Sequence, residues 1–283
     1  MHQYKKGEYR DQFVIAYLTD LDDNKDVILW AEKFSNMLKK GLILLYICDK
    51  KYTDISTEKA QEKLKQINDS ISLSYIHSYA VLNGKTKDII HNLGDLLNGV
   101  MIVSKVDTQT KEKKNPISIN NITNNFYSSR LAYLLFSKPF QDTPFTDVIL
   151  SMNALKEAKE KILWASYFGR FSSSRIVIFY HRYKDTYLQK QLNLNIGFAR
   201  KMFRKFNIQT LNAHSLNTRT NEDVQAMSYA KQNSSSLCIF QTTKNKSIIE
   251  FFTGLPEKKA MKRLQNTPIL FLNPRDDLFI MCE

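Results

Sequence analysis

Glycine is scarce, with eight residues in a chain of 283. Loops that wrap phosphate groups in bare backbone depend on glycine, because a side chain there fills the ligand's space. This chain has little material for such a loop. Cysteine is rarer still. Cys48, Cys238 and Cys282 are odd in number and far apart, which argues against a disulfide framework or a zinc site and suits a reducing cytoplasm. No apolar run approaches the roughly 20 residues of a membrane span; the longest clear one is GLILLYIC, 41–48. MHQYKKGEYRDQF at the N-terminus has no apolar core, so a signal peptide is not expected. The five histidines (His2, His77, His91, His181, His214) show no metal spacing. No Cys/His or Ser/His/Asp grouping stands out, so neither a metal site nor a catalytic residue is expected.

What the chain does contain is a repeat. ILWAEKF, 28–34, returns as ILWASYF, 162–168, and the match extends without a gap. Over residues 13–47 against 147–181, ten of 35 positions are identical, and seven more exchange one apolar residue for another. A duplicated chain of this length divides into two domains of about 140 residues, near the usual domain size. The polar, proline-bearing QDTP at 141–144 marks the boundary, giving domains 1–141 and 142–283.

Periodicity gives the same order of elements in each half. The first reads as a strand at 13–18, a helix at 25–39 ended by Gly41, the strand LILLYI, a helix at 56–69, the run SLSYIHSYAV, a helix at 85–96, and VMIV. The second reads as VILSM, a helix at 156–170, RIVIFYH, a helix at 187–206, QTLNAHSL, a helix at 220–232, LCIFQ, a helix near 256–264, and PILFLN. All-apolar strands are buried on both faces, as in parallel sheets covered by helices. The fold class is α/β, two tandem doubly wound parallel sheets. Trp30 and Trp164 lie on apolar helix faces and read as core. Asp22 and Asp23 read as first-turn acids of the first helix.

The first helix, the LILLYI strand and the terminal PILFLNPRDD together resemble the universal stress protein family, and more closely its tandem members. The resemblance implies an adenine-nucleotide α-hydrolase-like fold with strand order 3-2-1-4-5. It also implies an intramolecular pseudo-dimer, in which PILFLN (268–273) pairs with the segment around Phe136–Gln141. Nucleotide-binding members carry an Asp at the end of the first strand and a G-x2-G-x9-G-[ST] loop after the fourth. Here the Asp position falls on Thr19, with Asp20 next to it, and on Asn153 in the second half. The leading glycines fall on Ser104 and Asp107, followed by a long polar insertion without glycine. In the second half the positions are Gln241, Lys244 and Gly254, with Leu255 replacing the hydroxyl residue. Thr19, Asp20 and Ser104 therefore read as a vestigial crevice. Asn153, Gln241, Lys244 and Gly254, with His181 at the end of its strand, form the candidate crevice of the second domain. No cofactor is expected, and ATP is disfavoured.

Charge is uneven. Residues 1–140 hold 20 basic and 16 acidic residues, net +4, and residues 141–283 hold 21 and 12, net +9. Arg200, Lys201, Arg204 and Lys205 share one helix. The expected function is a cytoplasmic, non-catalytic stress-response module for binding or regulation, with an altered or lost nucleotide site. The alternatives are a nucleic-acid-associated stress protein using the basic second domain, or a residual nucleotide- or anion-binding protein. Domain pairing within the chain is the expected contact. A homo-oligomer or a separate protein partner is left open, and no membrane association is expected.

Overall fold

The apolar runs become parallel strands and the amphipathic stretches become the helices that cover them. The structure, a computed structural model, describes residues 12–71, 77–106, 115–118, 121–126, 129–214, 222–232, 236–242 and 267–273. Asp107, Lys244, Gly254 and the helix expected at 256–264 lie outside these residues. The chain divides into two compact units, Met1–Phe140 and Gln141–Glu283.

The first unit contains β1 (Phe13–Tyr17), α1 (Lys25–Leu38), β2 (Gly41–Cys48), α2 (Thr57–Ser70), β3 (His77–Asn83), α3 (Thr86–Leu97), β4 (Gly99–Lys105), α4 (Ile122–Phe126) and β5 (Ala132–Phe136). The second contains β6 (Asp147–Ser151), α5 (Ala158–Phe171), β7 (Arg175–Tyr180), α6 (Thr186–Lys205), β8 (Thr210–His214), α7 (Glu222–Ala230), β9 (Ser236–Gln241) and β10 (Ile269–Leu272). Strands run β3-β2-β1-β4-β5 in one unit and β8-β7-β6-β9-β10 in the other, so both have the order 3-2-1-4-5. The order reverses between β1 and β4, and between β6 and β9. Right-handed crossovers then place α1 and α2 on one face of the first sheet and α3 and α4 on the other.

The duplication reaches the hydrogen-bond register. Phe13 pairs with Gly41, and Asp147 pairs with Arg175, each residue 134 positions after its counterpart. Every residue of β2 from Gly41 to Ile47 is buried, as an apolar run without alternation requires. Side-chain caps open two helices: Ser56 accepts from the Lys59 amide, and Asp185 accepts from the Leu188 amide at 2.8 Å.

Three expectations need correction. Gly41 does not end α1; Lys39 does, in the left-handed conformation at φ 54°, and Gly41 opens β2. The third strand runs His77–Asn83, and residues 72–76 of the run SLSYIHSYAV lie outside the described residues. The insertion after β4 is not merely polar: Ile117, Ile122 and Phe126 are buried, and α4 forms within it. Finally, the last strand of the first unit is Ala132–Phe136, so the segment around Phe136–Gln141, expected to pair with PILFLN, starts where that strand ends. Lys105 pairs with Phe136 as Gln241 pairs with Leu272, so the counterpart of 268–273 is 132–137. Residues after Phe136 turn back onto α1 instead. The Phe140 ring meets Trp30 edge-on at 5.1 Å, and the Phe140 amide donates to Asp26 at 2.9 Å. Pro139 cannot donate to a ladder, and the aromatic contact with Trp30 offers a better use of the segment.

Candidate functional site

Open parallel sheets bind ligands beyond the carboxyl ends of their strands, where the order reverses. In the first unit that place lies beyond β1 and β4. Tyr17, the last residue of β1, is 2% exposed and packs against Phe126 of α4 at 6.4 Å between ring centroids. Burial drives the Tyr17 phenol well above its usual range, so it stays neutral. Ser104 is not in a loop. It is fully buried inside β4, and its hydroxyl donates to the Tyr17 carbonyl at 2.9 Å.

The leading loop position belongs to the next residue. Ala16 pairs with Val103 and Leu150 with Ile239, so Lys105 is the structural counterpart of Gln241. A register shift between Phe13 and Val14 hides this from a count along the sequence. Lys105 reaches towards the segment following β1, with Nζ 2.7 Å from Asp23 and 3.6 Å from Asp26 in the first turn of α1. The carboxylates hold its ammonium above the ordinary lysine range, Asp23 first, despite some desolvation. Asp22 and Asp23 precede α1 rather than forming its first turn, and Asp22 pairs with Lys63 at 2.9 Å. Asp20 is exposed and organises the loop, its Oδ1 accepting from the amides of Asp22 and Asp23. Thr19 is half-buried beside it. Thr19, Asp20 and Ser104 thus cluster at the end of β1.

In the second unit the expected residues separate. Asn153 follows β6; its Oδ1 accepts from the Leu155 amide, and Asn195 of α6 donates to the carbonyls of Asn153 and Leu155. Gln241 reaches the same segment, its Nε2 donating to the Glu157 carbonyl at 3.3 Å while Oε1 is buried without a hydrogen-bond partner. His181 turns away towards α7. Its Nδ1 lies 2.8 Å from Glu222 but off the N–H axis, so no aligned hydrogen bond forms. Tyr183 donates to the same carboxylate at 3.3 Å, and burial, reinforced by Glu222, pushes its phenol up to about 12.

Sequence reasoning missed a buried lysine. Lys161 of α5 is 1% exposed, and its Nζ donates to Ser151 at 3.5 Å; Ser151 in turn donates to Asp223. Burial pulls the Lys161 ammonium below its ordinary range, against the attraction of Asp223 and Glu222. The signal was available, because the ungapped repeat sets Lys161 opposite Val27, which is buried in its own unit. Trp30 is core as expected, whereas Trp164 is only half-buried, against Tyr167.

A concavity lies one strand over from the expected place, at the carboxyl ends of β2 and β3. It encloses about 780 Å³ and is lined by Lys50, Lys51, Tyr52, Gly84, Lys85 and Lys87, with Asn83, Asn124 and Asn125 among its amides. Asp49 joins its two loops: Oδ2 accepts from the Thr86 amide at 2.7 Å and Oδ1 from the Lys51 amide at 3.0 Å. Burial alone would raise this carboxyl, but those backbone hydrogen bonds hold it below the usual range. A groove of about 440 Å³ in the second unit is lined by Tyr183, Lys184, Gln189 and Lys190. No cluster able to hold a metal ion is formed among the described residues. No described helix is long and apolar enough to cross a membrane.

No family model and no curated protein matches the sequence. Solved structures do. A universal stress protein from Archaeoglobus fulgidus superposes with a TM-score of 0.68 at 13% identity, covering 95% of this chain and 98% of that one. A protein of unknown function from Pseudomonas aeruginosa gives 0.61 at 11% identity, with 93% and 92% covered. The cytoplasmic domain of a prokaryotic cation chloride cotransporter gives 0.53 at 12%, with 93% and 95% covered. At such identities the likeness concerns the fold, and this chain has the fold of the universal stress proteins.

Proposed function

We propose that the chain is a tandem universal stress protein, cytoplasmic and non-catalytic, that binds or regulates through a crevice no longer built for ATP. The supporting observation is Lys105, which stands at the first position of the phosphate loop and is latched to Asp23 across the crevice mouth. A side chain at that position fills the approach that glycine would leave open. Gln241 at the matching position reaches across to Glu157 in the same way. In the cotransporter this fold serves as a cytoplasmic domain, which is consistent with a binding role. Pairing of the two halves within the chain belongs to the same proposal.

The test is an amide-resonance titration of the whole chain with ATP and ADP. Resonances of Leu18–Asp20 and Met152–Ala154 should stay in place at millimolar nucleotide. Saturable shifts there with a micromolar dissociation constant would overturn the proposal. A nucleic-acid role is favoured by one observation, that Arg200, Lys201, Arg204 and Lys205 of α6 are all exposed. In that case gel-shift binding should weaken steeply with salt and fail in Arg200→Glu/Arg204→Glu; a flat series at low salt removes this reading.

A further inference from the structure

We propose that the concavity beyond β2 and β3 is a binding site for a small organic anion carrying two or more phosphate or carboxylate groups. Its volume of about 780 Å³ is that of a small-molecule site. Its walls come from two loops of the sheet and from α4, so three separate stretches of sequence converge on it. Gly84 makes the β3–α3 turn at φ +142°, a conformation that strains any residue with a Cβ, and so keeps that wall low.

The chemistry at the walls is one-sided. Lys50, Lys51, Lys85 and Lys87 are all exposed around the concavity. None of the four forms an ion pair among the described residues. The one acid at the floor, Asp49, already accepts from two backbone amides, and it is 8% exposed. Asn83 Oδ1 accepts from the Thr57 hydroxyl, which leaves its NH₂ group to donate. The site therefore offers cations and amide donors, with its carboxylate acceptor engaged. Such a donor set complements an oxyanion. It does not complement a nucleobase, because the aromatic face of Tyr52 is covered by the Lys51 ammonium at 4.8 Å.

The site is distinct from the β1/β4 crevice, so its fate is independent of the function proposed above. The groove in the second unit is smaller and carries two lysines, Lys184 and Lys190, in place of four.

Pyrophosphate and citrate are the probes, titrated separately into the whole chain at low salt. Saturable shifts of the Tyr52, Gly84, Lys85 and Asn125 amides, with calorimetry giving one site per chain, are expected from at least one probe. The stronger probe identifies phosphate or carboxylate as the preferred group. Lys85→Ala/Lys87→Ala should weaken binding about tenfold, as expected for two exposed charge contacts. Lys138→Ala/Lys156→Ala removes the same charge from exposed positions away from the cavity lining and should change binding little. Three results would overturn the proposal: no saturable shift with either probe at millimolar concentration, equal weakening in both double variants, or shifts confined to Leu18–Asp20. The third would at the same time contradict a closed β1/β4 crevice.

Discussion

Replacing Lys161 with methionine should stabilise the protein. The ammonium is almost completely buried, and its hydrogen bond to Ser151 is long at 3.5 Å. Desolvation outweighs the attraction of Asp223 and Glu222, since the group is shifted towards its neutral form. Exchanging a buried ion for an apolar side chain of similar volume is neutral or gains about 1–4 kcal/mol. The first repeat already carries the apolar solution, with Val27 at 3% exposure. Methionine keeps the length of the lysine stem, whereas Lys161→Ala leaves a cavity and should cost about 2–5 kcal/mol. The pH dependence follows from the direction of the shift. With the folded-state pKa depressed below the unfolded value of 10.5, the unfolded chain binds more protons in that window. The wild type should therefore gain stability as pH rises towards that value, and the advantage of methionine should shrink as it does. Urea melts followed by circular dichroism, compared at equal slope, give both quantities. A loss of about 3–5 kcal/mol in Lys161→Met, unchanged by pH, would refute the reasoning and make the pair net stabilising.

Lys105→Ala should cost no more than about 1 kcal/mol, because the Lys105 and Asp23 side chains are 30% and 63% exposed, and the loss should fade in high salt. Gly169→Ala should destabilise by about 1–3 kcal/mol despite its better helix propensity. The added Cβ would lie 2.8 Å from Ile208 Cδ1, and Ile208→Ala in the same chain should restore part of the loss in a urea midpoint. Leu270→Lys, at a fully buried position of β10, should destabilise by several kcal/mol and promote association between chains. Light scattering showing an unchanged monomer of normal stability would count against it.

The duplication made most of the fold legible. The ungapped match between 13–47 and 147–181 placed β1, α1 and β2 on their counterparts with the observed register. Continuous apolar runs such as LILLYI identified a parallel sheet because both faces are buried. Beyond β2 the halves diverge, and a count along the sequence cannot register a local shift in pairing. Such a count puts the loop position on Ser104, where pairing puts it on Lys105, and the partner of PILFLN around Phe136–Gln141, where the strand ends at Phe136. The lysine cavity escaped notice for a different reason. Lys50, Lys51, Lys85 and Lys87 stand in two loops that only the pairing of β2 with β3 brings together, and each reads alone as a solvated surface residue. Lys161 was discoverable, as a charge facing Val27 in the repeat; on a single helix it looks like ordinary amphipathic decoration.

The central claim is that the crevice beyond β1 and β4 has ceased to be a nucleotide site. Calorimetry of ATP binding to the Lys85→Ala/Lys87→Ala chain tests it most directly, because that variant removes the cations that could hold the triphosphate elsewhere. Binding no tighter than millimolar is the predicted result. A micromolar dissociation constant, lost when Leu18–Asp20 or Met152–Ala154 is altered, would contradict it.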